Sequence, residues 1–94
     1  MELKNKTAIV TGSARGIGEG IAMVLAREGA NIVVNSRQAS DCDTVVQKIT
    51  SAGGNAIGVG ADVSKKAEVQ AKAEATVKAF GAIDILVNNA GLYS

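Results

Sequence analysis

Four short, β-branched apolar runs, separated by three longer amphipathic stretches, constrain this chain more than any other feature. Thr7-Ala8-Ile9-Val10 follows polar residues and reads as a buried strand. Residues 16–28 carry Ile17, Ile21, Val24 and Leu25 on one helical face, and Gly29 stands where a helix ends. Residues 31–35, around Ile32-Val33-Val34, read as a second strand. A helix is predicted over 40–52, with Val45, Val46 and Ile49 inward and Ser40 and Asp43 spaced like a capping box. A weaker strand at 56–60 precedes a helix from Ser64, its cap, to Phe80, with Val69, Ala73, Val77 and Phe80 inward. Residues 83–87 form the fourth strand. The order β-α-β-α-β-α-β with short connections implies an α/β fold: a parallel sheet with helices on both faces. Right-handed crossovers favour the strand order 3-2-1-4.

Composition narrows what such a sheet can do. Ninety-four residues allow one domain, and an apolar content of 47% is enough for a packed core. Phe80 and Tyr93 are the only aromatic residues, and a net charge of +1 is spread along the chain. Neither a stacking platform for single strands nor a basic footprint is visible, so no nucleic-acid partner is expected. Cys42 is the only cysteine and His is absent, which excludes an internal disulfide and a Cys/His zinc site. Cys42 reads as a small inert thiol, since no basic partner stands near it in sequence. No apolar run has the length of a signal peptide or a membrane span. The expectation is a cytoplasmic protein with no membrane partner and no metal.

The chemistry concentrates between the first strand and the first helix, at Thr11-Gly12-Ser13-Ala14-Arg15-Gly16-Ile17-Gly18. A glycine-rich turn there aims backbone N–H groups and a positive helix end at one spot, which suits a pyrophosphate. Gly12 can turn the chain off the strand, Gly16 admits a ligand close to the backbone, and Gly18 allows close helix packing. The spacing differs from the general Gly-x-Gly-x-x-Gly fingerprint, and no Gly-Lys-Ser/Thr follows to make a P-loop. Gly12, Arg37, Asp62 and Asn89 each lie just past the carboxyl end of a predicted strand. In an open parallel sheet those ends share one edge, where ligands bind at the switch point.

These residues resemble the short-chain dehydrogenase/reductase family. Residues 11–18 are similar to its nucleotide loop, Asp62-Val63 to its adenine-pocket pair, and Asn88-Asn89-Ala90-Gly91 to its second signature. The motifs occur in the family's order and spacing along essentially the whole chain. The resemblance implies a Rossmann-like doubly wound sheet, ending here after the fourth strand, with residues 1–94 as the N-terminal part of one NAD(P)-binding domain. It carries cofactor contacts to Gly12, Ser13, Arg15, Gly16, Ile17 and Gly18, to Asp62 and Val63, and to Asn89, Ala90 and Gly91.

The choice of nicotinamide cofactor rests on the end of the second strand. An NAD site places a carboxylate there, about 20 residues past the loop, for the ribose 2′-hydroxyl. Ser36 and Arg37 stand there instead, and both can bond a 2′-phosphate. Arg15 is similar to a second basic residue of NADP-dependent members. The expectation is NADP(H), with NAD(H) second; the plain alternative is a pair of solvated surface arginines. A methyltransferase with a similar sheet also wants an acid after its second strand, which is absent.

Family members reduce a carbonyl with a Tyr and a Lys four residues later, a Ser that positions the substrate oxygen, and an Asn in a proton relay. All four belong beyond Ser94, so no residue here is assigned catalysis, Tyr93 and Ser94 included. The expectation is a piece of a longer, homo-oligomeric oxidoreductase, inactive by itself. Residues 26–37 and 53–63 are most similar to 3-oxoacyl-acyl-carrier-protein reductases, with sugar dehydrogenases next. The substrate class implied is a small or acyl-carrier-bound carbonyl. A non-catalytic nucleotide-binding module is the competing reading.

Overall fold

The structure, a computed structural model, describes residues 2–89. Strands β1 (Thr7–Val10), β2 (Asn31–Ser36), β3 (Asn55–Gly60) and β4 (Ile85–Val87) alternate with helices α1 (Gly16–Arg27), α2 (Asp43–Ser51) and α3 (Lys66–Phe80). Every strand pairing is parallel, in the order β3-β2-β1-β4, as the alternation implies. Val10 lies level with Val34 on one side and Val87 on the other. The three strands therefore release their chains at one edge, where the loops that follow them meet.

The pleat divides the buried residues between two faces. Ala8 and Val10 of β1 and Ile32 and Val34 of β2 cluster with Ala22 of α1 and with Cys42, Val45 and Ile49. Ile9 and Val33, the alternate residues, are also buried, on the face that carries α3. Burial on both faces explains why the central strands read as unbroken apolar runs. Each fully buried Val or Ile side chain contributes roughly 1.5–3 kcal/mol.

The helices depart from the sequence reading in which side they bury. In α1, Ile17 and Val24 are 58% and 54% exposed, while Gly18 and Ala22 are the buried positions. Ile21 and Leu25 pack partly against the core. The helix start crosses so close to the β1 turn that only the small side of the cylinder fits beneath it. In α3, Lys72 and Thr76 are buried, whereas Val69 and Val77 are 37% and 48% exposed. The buried stripe is one residue, about 100° of rotation, away from the expected apolar stripe. Val69 and Ala73 of the apolar stripe instead line a pocket beside the sheet with Ile9, Ile83 and Leu86.

Two predicted caps are also absent. A 3₁₀ turn (Ala39–Cys42) precedes α2, whose N-cap is Cys42 with no side-chain capping bond, so Ser40 and Asp43 form no capping box. Helix α3 starts after Lys65, and Ser64 sends its hydroxyl back to Asp62 Oδ1 at 2.6 Å. Among the described residues, no helix is long and apolar enough to cross a membrane. No group of three or more His, Cys, Asp or Glu there could hold a metal ion.

Candidate functional site

At the carboxyl edge of the sheet lies an open cleft of about 1160 Å³, lined by Gly12, Arg15, Ser36, Arg37, Asp62 and Asn88 among others. Backbone bonds just past the strands hold its walls. Thr11 N–H donates to Val87 C=O at 3.0 Å, and Ala61 N–H donates to Ser36 C=O at 2.8 Å. The segments that the sequence placed past four strand ends thus share one edge.

The glycine loop turns through left-handed backbone at Gly12 (φ 60°) and Gly16 (φ 63°), conformations that side chains disfavour. Between them, Arg15 is extended and leads into α1 without a side-chain cap. The first amides of α1 have no carbonyl behind them, so a positive helix end stands at the cleft wall formed by Arg15 and Gly16. Gly18 is required for a more specific reason than packing on the sheet. A Cβ there would stand 2.2 Å from Gly12 O and 2.6 Å from Asn89 Nδ2. Those two atoms are themselves bonded, Asn89 Nδ2 donating to Gly12 O at 3.1 Å.

Ser13 is fully buried, and both of its polar groups hold the loop rather than face the cleft. Its hydroxyl donates to Val10 C=O at 2.6 Å and accepts from Asn35 N–H at 2.9 Å. Its own N–H donates to Asn35 C=O at 2.8 Å. Ile17 points its side chain to solvent. Asn35 is a residue that the sequence reading does not single out, yet its side chain bonds Gly12 N–H and reaches the carbonyls of Val59 and Ala61. A signal for it exists: a polar residue closing the run Ile32-Val33-Val34 must find partners if it is buried.

On the opposite wall, Asp62 accepts from both Ser64 N–H (2.9 Å) and Ser64 Oγ (2.6 Å). These bonds, foremost the hydroxyl's, hold its carboxyl below the usual range, and Arg37 and Lys65 add to the effect. Asp62 N–H in turn donates to Glu68 Oε1 at 2.9 Å, fixing the chain at the start of α3. Val63 is 36% exposed and lines the cleft beside it. Ser36 and the exposed Arg37 form the rim at the end of β2, and Arg37 makes no ion pair among the described residues. Asn89 is buried to 1% exposure, and its Oδ1 has no hydrogen-bond partner among the described residues. Ala90 and Gly91, also expected at the site, lie outside the described residues.

Cys42 is no part of this edge. Its Sγ lies 3.4 Å from Val34 O, and burial pushes the thiol's pKa up.

An anionic dinucleotide fits what is present. The cleft exceeds the roughly 300–1,000 Å³ of ordinary small-ligand pockets. It offers a helix N-terminus for a pyrophosphate and two cations, Arg15 and Arg37, on separate parts of its wall.

Comparison with known proteins agrees with this geometry. The model of the short chain dehydrogenases matches residues 6–94. A short-chain dehydrogenase/reductase homologue of Bacillus subtilis is 46% identical over 93 residues, covering 98% of this chain and 85% of its own. A 3-oxoacyl-[acyl-carrier-protein] reductase of Staphylococcus epidermidis is 44% identical over 89 residues, covering 94% of this chain and 36% of the reductase. A crystal structure of a metagenomic short-chain oxidoreductase in complex with NADP matches with a TM-score of 0.89 and 37% identity, over 95% of this chain and 40% of that one. The chain spans well under half the length of the last two proteins. Loop, sheet order and overall match converge, and the chain belongs to the short-chain dehydrogenase family.

Proposed function

We propose that this chain is the cofactor-binding part of an NADP-dependent oxidoreductase that moves hydride between nicotinamide and a carbonyl or alcohol. Residues 1–94 form the N-terminal part of its single NAD(P)-binding domain. The observation that carries the reading is the pair Ser36–Arg37 on the cleft rim, where an NAD site would have a carboxylate. The two carboxylates that line the cleft among the described residues sit elsewhere, Asp62 bonded to Ser64 and Asp41 in the 3₁₀ turn. Arg37 and the Ser36 hydroxyl bind a 2′-phosphate, and the amides opening α1, with Arg15, receive the pyrophosphate. Gly12, Gly16, Ile17 and Gly18 give those amides their approach, with Ser13 holding the loop behind them. Asp62 and Val63 border the adenine, and Asn89, with Ala90 and Gly91, borders the nicotinamide ribose. The bound nicotinamide supplies or accepts the hydride.

The proton donor and its partners come from sequence beyond Ser94, within a homo-oligomeric cytoplasmic enzyme. Its substrate is a small or acyl-carrier-bound carbonyl, a reading supported by the 3-oxoacyl reductase among the relatives. Sugar and alcohol dehydrogenases of the family are the alternative. The Bacillus homologue, of which this chain spans 85%, favours a second reading: a nucleotide-binding module without turnover of its own.

Calorimetric titration of NADPH and NADH tests the cofactor assignment. A charge-assisted hydrogen bond contributes roughly 1.5–3 kcal/mol, so NADPH should bind about ten- to a hundredfold more tightly, less so at high salt. Arg37→Ala should remove most of that preference and leave NADH affinity unchanged. Equal binding of both cofactors by the wild type, or equal weakening of both by Arg37→Ala, would overturn the assignment. The 94-residue chain should bind NADPH without oxidising it in the presence of a ketoacyl substrate.

A further inference from the structure

Asn35 sits at the end of β2, 2% exposed, where three chain segments meet. Its Oδ1 accepts from Gly12 N–H at 3.2 Å. Its Nδ2 lies within hydrogen-bond distance of three carbonyls: Ser36 at 3.3 Å, Val59 at 3.2 Å and Ala61 at 3.4 Å. Its backbone N–H and C=O are both taken by Ser13. One side chain therefore ties the glycine loop, the Ser36–Arg37 rim and the segment entering Asp62 to a common point. It also claims Gly12 N–H, as its backbone claims Ser13 N–H, so neither amide is available to an anion. The amides left for a phosphate lie further along the loop, from Ala14 into the opening of α1.

We infer that Asn35 is the positioning residue of the cofactor site, setting the separation between the pyrophosphate loop and the 2′-phosphate corner, and hence the preference for a 2′-phosphorylated dinucleotide. This rests on the cofactor reading above. The amide chemistry is essential because the site needs an acceptor for Gly12 and a donor for the Val59 and Ala61 carbonyls on one neutral side chain. An ionised carboxylate supplies only acceptors, and it would face the carbonyls of Val59 and Ala61. A protonated carboxyl again supplies one donor and one acceptor.

That contrast gives the experiment. Asn35→Asp and the wild type are titrated with NADPH and with NADH by calorimetry between pH 5 and 8, with the fold followed by circular dichroism. The charged groups lining the same cleft are Arg15, Arg37, Asp41 and Asp62, and all are common to both proteins. At pH 8 the variant should lose about tenfold or more in its NADPH-to-NADH affinity ratio, the scale of one charge-assisted hydrogen bond. The loss should diminish toward pH 5, as the new carboxyl takes up a proton, relative to the wild-type profile. The wild type also controls for titration of the cofactor's own phosphate.

Should the carboxylate unfold the protein at pH 8, Asn35→Thr replaces it. Its hydroxyl serves one of the two tasks at a time, so the ratio should fall without any recovery at low pH. Unchanged ratios in the variant that folds, with only a lower melting temperature, would make Asn35 a structural residue and overturn the inference. A wild type that binds neither dinucleotide would overturn the cofactor reading and this inference with it. A wild type that prefers NADPH, beside a variant with unaltered selectivity, defeats this inference alone.

Discussion

At the scale of single residues, two glycines of α1 have opposite meanings. Gly18 leaves no room for a methyl group: a Cβ at that position would meet Gly12 O at 2.2 Å and Asn89 Nδ2 at 2.6 Å. Gly20, two residues on in the same helix, has nothing within 4 Å of such an atom. Gly18→Ala must therefore break the Asn89–Gly12 bond or lift the helix start, at a cost of roughly 1–3 kcal/mol. Gly20→Ala should stabilise the protein by about 0.5–1 kcal/mol, because glycine is the poorer helix former. Urea midpoints of the two variants, moving in opposite directions, check both. A Gly18→Ala protein as stable as the wild type would show that the loop yields more easily than its bonds imply. The need for a small residue at Gly18 was legible from its place after the loop. Its contacts were not, because Gly12 and Asn89 are separated by most of the chain.

At the scale of elements, α3 shows why periodicity alone misplaces a helix face. Its best apolar stripe, Val69, Ala73 and Val77, is not the buried one: Val69 and Val77 are 37% and 48% exposed, while Lys72 is 4% exposed beneath the helix. No carboxylate pairs with Lys72 among the described residues, and burial lowers its pKa. The native state therefore binds the Lys72 proton less tightly than the unfolded chain does. Stability should rise with pH from the lowered native pKa up to the ordinary lysine value, where the unfolded chain also loses its proton. Lys72→Met should remove that rise and raise stability at neutral pH by roughly 1–3 kcal/mol, since an unpaired buried cation is replaced by an apolar chain. Thermal melts of both proteins between pH 7 and 10 test this. A variant less stable than the wild type, or one that keeps the same pH slope, would show that the ammonium is well solvated.

For the molecule as a whole, one face of the sheet is closed and the other is only partly covered. Ala8, Val10, Ile32 and Val34 lie under α1 and α2, whereas Leu86 of β4 is 63% exposed and Ile83 before it is 39% exposed. With Val69 they leave an apolar surface beside a strand that pairs on one side only among the described residues. Such edges promote association. The 94-residue chain should therefore sediment as larger species with rising concentration, and Leu86→Lys should shift it toward the monomer. A wild type that remains monomeric across the range would show that this surface is less adhesive than its exposure implies.

The sequence alone determined the order of elements, the parallel sheet and the edge that gathers the glycine loop, the Ser36–Arg37 rim and Asp62. Those features follow from local information: β-branched runs fit strands buried on two faces, glycines mark turns, and crossover handedness restricts the topology. Tertiary structure decided which helix faces are buried, because a helix turns its side to whatever surface lies beneath it, and that surface comes from distant strands. It also decided that Ser13 holds the loop, that Asn35 joins three segments, and that Gly18 must clear Gly12 and Asn89. Each of these depends on contacts between segments far apart in the chain, and their geometry exists only once the sheet has brought the strand ends together.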